Sequence, residues 1–138
     1  MKPVLLDTGP IVALLDRSEK CHRECVEALA GIEGPLVTCE SVIAEACYLM
    51  RRLAGANEAI LQNVADGVFQ IPIQLSQCAL AIQRILKKYN DRQVDLADAC
   101  LVHLATELRT GEIFTLDRDF AVYRWATNRA FQSVLPLW

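Results

Sequence analysis

The chain has 138 residues, enough for one compact domain whose core needs no disulfide or metal staple. Hydrophobic residues make up 53% and mean hydropathy is +0.22, which excludes disorder, and no apolar run exceeds five residues, which excludes a spanning helix. Seventeen acids against 14 bases leave a net charge of −3, the wrong balance for a protein that coats polyanions indiscriminately.

The opening MKPVLLD reaches an acid after three apolar residues, too soon for a secretory h-region. Pro3–Leu6 reads as a buried strand that ends in the turn Asp7-Thr8-Gly9-Pro10, and Ile11–Leu15 as the start of a helix. Ser18 is expected to cap a second helix to about Ala30, stopped by Gly31 and Gly34-Pro35. Leu36–Thr38 reads as a second strand. From Ser41, Val42, Ala46, Leu49, Met50 and Leu53 recur on one helical face, and Gly55 ends it. Asn57 is expected to cap a helix to about Val68.

Pro72 makes Phe69–Leu75 an edge strand or an extended link. Ser76 starts a helix through Tyr89. Asp95 is expected to cap the next, which runs to about Arg109 and is ended by Gly111. Glu112–Leu116 reads as a strand, Asp117–Trp125 as a turn and short helix, and Ser133–Leu135 as a last strand. Short strands alternating with helices predict an α/β fold: a parallel sheet covered on both faces, in one domain over residues 1–138.

Six cysteines, with nothing that marks secretion, read as buried reduced thiols of a cytoplasmic protein. Cys21, His22 and Cys25 lack the second ligand pair of a zinc finger. His22 and His103 read as structural.

Four acids fall at places that an α/β sheet brings together. Ligands of such sheets bind beyond the carboxyl ends of the strands. Asp7 and Asp117 follow two of those strands. Glu45 borders the apolar face of its helix, which predicts a place at the rim of the core. Asp98 interrupts Leu96–Ala105, where eight of ten residues are apolar, and an acid there is costly unless something satisfies it. Each acid alone has an ordinary explanation as a cap or turn residue. Jointly they describe carboxylates that repel one another unless a cation neutralises them. All-oxygen donors select Mg²⁺ or Mn²⁺, and the chemistry implied is phosphodiester hydrolysis.

The segments Leu5-Leu6-Asp7-Thr8, Val42-Ile43-Ala44-Glu45, Leu96-Ala97-Asp98-Ala99 and Thr115-Leu116-Asp117-Arg118-Asp119-Phe120 resemble, in order and spacing, those of PIN-domain proteins, more narrowly the VapC-type ribonuclease toxins. The resemblance implies a three-layer α/β/α sandwich and a metal-dependent endoribonuclease specific for single-stranded RNA. It implies a pocket of Asp7, Glu45, Asp98 and Asp117. Asp7 and Asp98 would ligate the ion directly, Glu45 and Asp117 directly or through water, with Thr115 a supporting hydroxyl. Asp95 reads as a helix cap or a fifth pocket acid. Asp119 reads as the cap of the short helix before Phe120 or as a substitute for Asp117. The resemblance also implies a homodimer, and a cognate antitoxin at an apolar groove between the early helices.

Other readings fit less well. Asp7-Thr8-Gly9 matches the aspartic-protease triplet, but that fold is all-β. A phosphoaspartate receiver would need paired acids after the first strand and a lysine on a late strand, and no P-loop occurs. A non-catalytic PIN-like module that binds RNA or protein is the alternative to an enzyme. Away from the ion, an RNA backbone needs local bases. The candidates are Arg51-Arg52, Lys87-Lys88 with Arg92, and Arg118; Arg124 and Arg129 are further options. Ten of the 14 bases are arginine, which suits phosphate forks.

Overall fold

Val4–Leu6 forms β1, and all three of its residues are buried. Successive side chains of a strand point to opposite faces, so this burial means that the sheet is covered on both sides. The computed structural model describes residues 1–138. It has five parallel strands in the order β3-β2-β1-β4-β7: β2 is Leu36–Val37, β3 Phe69–Gln70, β4 Glu112–Phe114 and β7 Gln132–Ser133. The chain steps outward from β1 through β2 to β3, then returns to the other side of β1 for β4. The order therefore reverses between β1 and β4, and a crevice opens there at the carboxyl edge. Asp7 N donates to Phe114 O at 3.0 Å, which carries the pairing one residue past β1.

Six helices flank the sheet: α1 (Thr8–Leu15), α2 (His22–Ala30), α3 (Glu40–Leu49), α4 (Ala56–Ala65), α5 (Leu75–Lys88) and α6 (Leu96–Leu108). The sandwich expected from the sequence is the fold observed. Helix α6 is the central one. Eight of its residues are buried, Asp98 among them, and it packs against β1, α3 and α5. Phe120, Tyr123 and Phe131 are buried, and their rings pack edge-on with Tyr89, at centroid separations of 4.9 Å (Tyr89–Tyr123), 5.1 Å (Phe120–Tyr123) and 5.4 Å (Phe120–Phe131).

Local details depart from the sequence expectations. Ser18 caps no helix; its amide and hydroxyl bind Asp16 Oδ1, and α2 starts later, at His22, after Cys21. Asn57 lies inside α4, where Gly55 in the left-handed region takes the cap position. Leu49 and Leu53 are exposed rather than part of the buried face. The last stretch holds a 3-10 turn, Arg118–Ala121, and an antiparallel ribbon of β5 (Arg124–Trp125) with β6 (Arg129–Ala130) that the sequence reading did not separate. Pairs of two residues are too short to show a period. All six cysteines are free, and His22 Nδ1 stands 2.7 Å from Ala13 O, a structural contact. No helix is long and apolar enough to cross a membrane.

Gly34 is needed for a close approach: a Cβ there would lie 1.9 Å from the backbone oxygen of Lys2, where β1 begins. At Gly31 the nearest atom would be Ala28 O at 3.6 Å, an ordinary contact. Gly34→Ala should therefore cost about 1–3 kcal/mol of stability in urea unfolding, while Gly31→Ala should stay within about 0.5 kcal/mol of the parent. Equal midpoints for the two variants would contradict this placement.

Candidate active site

Four elements deliver carboxylates to the crevice between β1 and β4. Asp7 leaves β1 as the N-cap of α1. It is 7% exposed; its Oδ1 accepts from Thr8 N at 2.8 Å and its Oδ2 from Thr115 Oγ1 at 2.7 Å. Parallel pairing sets Leu6 opposite Phe114, so the next residues, Asp7 and Thr115, emerge side by side. Thr115 Oγ1 also accepts from Asp117 N at 2.9 Å, so one hydroxyl ties two acids together. Asp117 Oδ1 in turn accepts from Asp119 N at 2.8 Å and caps the 3-10 turn.

Helix α6 contributes from its first turn, where its dipole favours negative charge. Asp95 Oδ1 caps the helix by accepting from Asp98 N at 2.8 Å. Asp98 is buried, and its Oδ2 accepts from Tyr123 Oη at 3.0 Å. Glu45, from α3, is exposed and has no hydrogen bond or ion pair, so it stands at the mouth of the pocket, further into solvent than its helical pattern predicts. These five acids line one open pocket of about 480 Å³ together with Glu19, Thr8 and Arg118, its only base. Asp95 therefore both caps α6 and faces the pocket. Asp119 does not line it; it lies 3.7 Å from Arg92, and the cap expected of it belongs to Asp117.

Burial and like charge shift these groups together. Burial pushes the Asp7 carboxyl up to about 6 against the hydrogen bonds from Thr115 and Thr8 that favour its anion, with Asp117 and Glu45 adding to the rise. Asp98 rises to about 8, mainly by burial, then through the charges of Asp95 and Asp7. Asp117 is also raised, chiefly by burial. The buried Tyr123 phenol is raised by burial and by Asp98, so it stays a hydrogen-bond donor.

The sequence reading missed Thr8 as a pocket group, Glu19 and Tyr123. Nothing in Val122-Tyr123-Arg124 signals a contact across 25 positions. Of the basic candidates, Arg118 lines the pocket, and Arg92 pairs with Asp119 outside it. Arg51 stacks on the Tyr48 ring at 3.9 Å and donates to Tyr48 O, and Arg52 is exposed beside it. Lys87 and Lys88 end α5. The largest cleft, about 620 Å³, lies at the opposite edge of the strands and mixes Lys2 with exposed glutamates. It has no buried acid.

The donor set fits a hard divalent cation: only oxygens, several acids with raised pKa, and Thr8 Oγ1 buried without a partner. No three His, Cys, Asp or Glu side chains are arranged closely enough to hold a metal ion between them.

The family described as PIN domain matches residues 4–126. Ribonuclease VapC26 of Mycobacterium tuberculosis is 34% identical over 121 residues, which cover 83% of this chain and 87% of that one. The crystal structure of Mycobacterium tuberculosis VapC20, a sarcin-ricin loop cleaving toxin, superposes with a TM-score of 0.80 at 17% identity, covering 89% of this chain and 96% of that one. At that identity the superposition speaks for the fold.

The raised acids set the sign of a pH dependence. Between the ordinary value of 3.8 and the folded values of about 6 and about 8, the folded chain holds protons that the unfolded chain has lost. Stability from Asp7 and Asp98 is thus full at low pH and is lost as pH rises through this window. In chelator, the melting temperature should fall as pH climbs from about 5 to about 8, and Asp98→Asn should flatten that fall. Scanning fluorimetry at several pH values checks this; a melting temperature that rises over the window would refute the burial of these acids.

Proposed function

The chain belongs to the PIN domain family, and from that premise we propose that it is a metal-dependent endoribonuclease that hydrolyses phosphodiester bonds of single-stranded RNA. Its role in this reading is the toxin of a toxin–antitoxin pair, in the cytoplasm, with residues 1–138 acting as one nuclease unit. The observation that carries the reading is the crevice itself: six carboxylates beside one arginine at the point where the strand order reverses. The identity to a ribonuclease over most of both chains supports it, and a non-catalytic module has no observation in its favour.

Asp7 and Asp98 would hold Mg²⁺ or Mn²⁺. Asp117 and Glu45 would complete the site directly or through water, with Asp95 a further acid at the same pocket. A divalent cation bound there supplies a Lewis acid for the phosphoryl oxygen and makes water a better nucleophile. The chain's own residues do the positioning. Thr115 and Thr8 fix the Asp7 carboxylate, and Tyr123 fixes that of Asp98. Glu45, with no partner of its own, is free to take a proton from the attacking water at the pocket mouth. Arg118 faces the scissile phosphate and offsets its charge.

A homodimer and an antitoxin belong to the same proposal. Tyr48, Leu49, Leu53 and Leu61 are large apolar side chains exposed on or beside α3 and α4, a surface of the early helices suited to an apolar partner segment.

Cleavage of single-stranded RNA should require Mg²⁺ or Mn²⁺ and fall by at least about 100-fold in Asp7→Asn and Asp98→Asn. Either ion should raise the melting temperature of the parent, more at pH 8 than at pH 5, since protonated acids bind cations poorly. Mapping of RNA ends with the Asp98→Asn control checks the first, and scanning fluorimetry the second. Full cleavage by both variants would remove this pocket as the active site. Light scattering at micromolar concentration should give twice the chain mass.

A further inference from the structure

A second cleft, about 380 Å³, runs between α5 and α6 under β5. Arg84, Lys88 and Arg124 line it, against one carboxylate, Glu107, which sits 3.7 Å from His103. Arg84 and Lys88 are four apart on α5, so two like charges share one helical face, a mildly destabilising arrangement. Neither has an ion pair; the chain's two salt bridges are Arg92–Asp119 and His103–Glu107. Helix α5 has no acidic residue at all. A basic last turn suits the helix dipole, which accounts for Lys87 and Lys88, but Arg84 stands a turn earlier.

Arg124 is fixed in the cleft wall. Its Nη1 donates to Ala121 O, Val122 O and Tyr123 O at 3.0–3.1 Å, while its Nε and Nη2 make no bond within the chain. A guanidinium anchored on one side with free donors on the other is preorganised for an anion.

The cleft is linked to the acidic pocket through two tyrosines. Tyr89 lines it, its hydroxyl accepts from Arg124 N at 2.9 Å, and its ring lies 4.9 Å from that of Tyr123, whose hydroxyl donates to Asp98. One aromatic layer separates the two sites. Four residues along a helix are about 6 Å, of the order of one phosphate step in an extended strand.

We infer that the Arg84–Lys88–Arg124 cleft binds the phosphate backbone of single-stranded RNA that continues past the acidic pocket. The inference rests on the proposal that RNA is the substrate. It supplies what a net acidic nuclease lacks around its pocket, a local electrostatic track for the strand on one side of the cut.

The test measures binding in chelator, where no cleavage occurs, by fluorescence anisotropy of a labelled single-stranded RNA oligonucleotide across a salt series. Arg84→Gln with Lys88→Gln should lower the slope of log affinity against log salt by about 1.4 and weaken binding at least about tenfold at 0.1 M salt. Arg17→Gln with Arg23→Gln removes the same charge from exposed positions outside the cleft and should leave the slope unchanged. Melting temperatures of both doubles establish that they fold. An unchanged slope in the cleft double, or an equal fall in the control, overturns the inference, as does tighter binding of polyglutamate than of RNA at this cleft. Absence of metal-dependent cleavage by the parent, with the slope change intact, would overturn the nuclease reading and leave the cleft standing.

Discussion

The hydrogen bond from Thr115 Oγ1 to Asp7 Oδ2 exists because β1 and β4 pair in parallel with Leu6 opposite Phe114. That register brings the first residue after each strand to the same place at the same height. Asp7 then cannot leave for solvent. It caps α1, it carries the pairing to Phe114 O, and it is sealed by the chain around it. Slip of either strand by one residue would turn Thr115 to the opposite face, removing the hydroxyl that Asp7 and Asp117 share.

Around that bond the fold gathers negative charge and gives little back. The first turn of α6 and the cap position of α1 offer amide hydrogens, and Tyr123 and Thr115 offer hydroxyls, but only one arginine faces the pocket. Burial outweighs the donors, so the acids rise. A structure that needed these groups only as caps would leave them at the surface, where Asp95 sits. Positive charge is concentrated elsewhere, on an acid-free α5. The net charge of −3 averages over two sites of opposite sign and describes neither.

The layers of the fold were legible because β1, β4 and α6 are apolar in patterns that local sequence carries. The site was legible for a related reason: an acid inside the apolar run Leu96–Ala105, or straight after a buried strand, stands out against its neighbours. What escaped depends on distant parts of the chain meeting. Tyr123 reaches Asp98 only after the 3-10 turn has been wound, and Glu19 reaches the pocket from a loop. Cap positions were misassigned where two residues competed for one duty: Gly55 with Asn57, and Asp117 with Asp119. In each pair the residue with the suitable backbone angle or reach took the role, and spacing alone does not report either.

Phe131 is buried against Phe120, which precedes Tyr123 in the same aromatic layer, and β7 pairs with β4. Both lie beyond residue 126, where the match to the family stops. The stretch by which relatives are recognised is therefore shorter than the stretch that keeps β4 from being a bare edge and Asp98 in place. Changes in the tail can reach the pocket through three rings packed edge-on without altering any residue of the matched stretch.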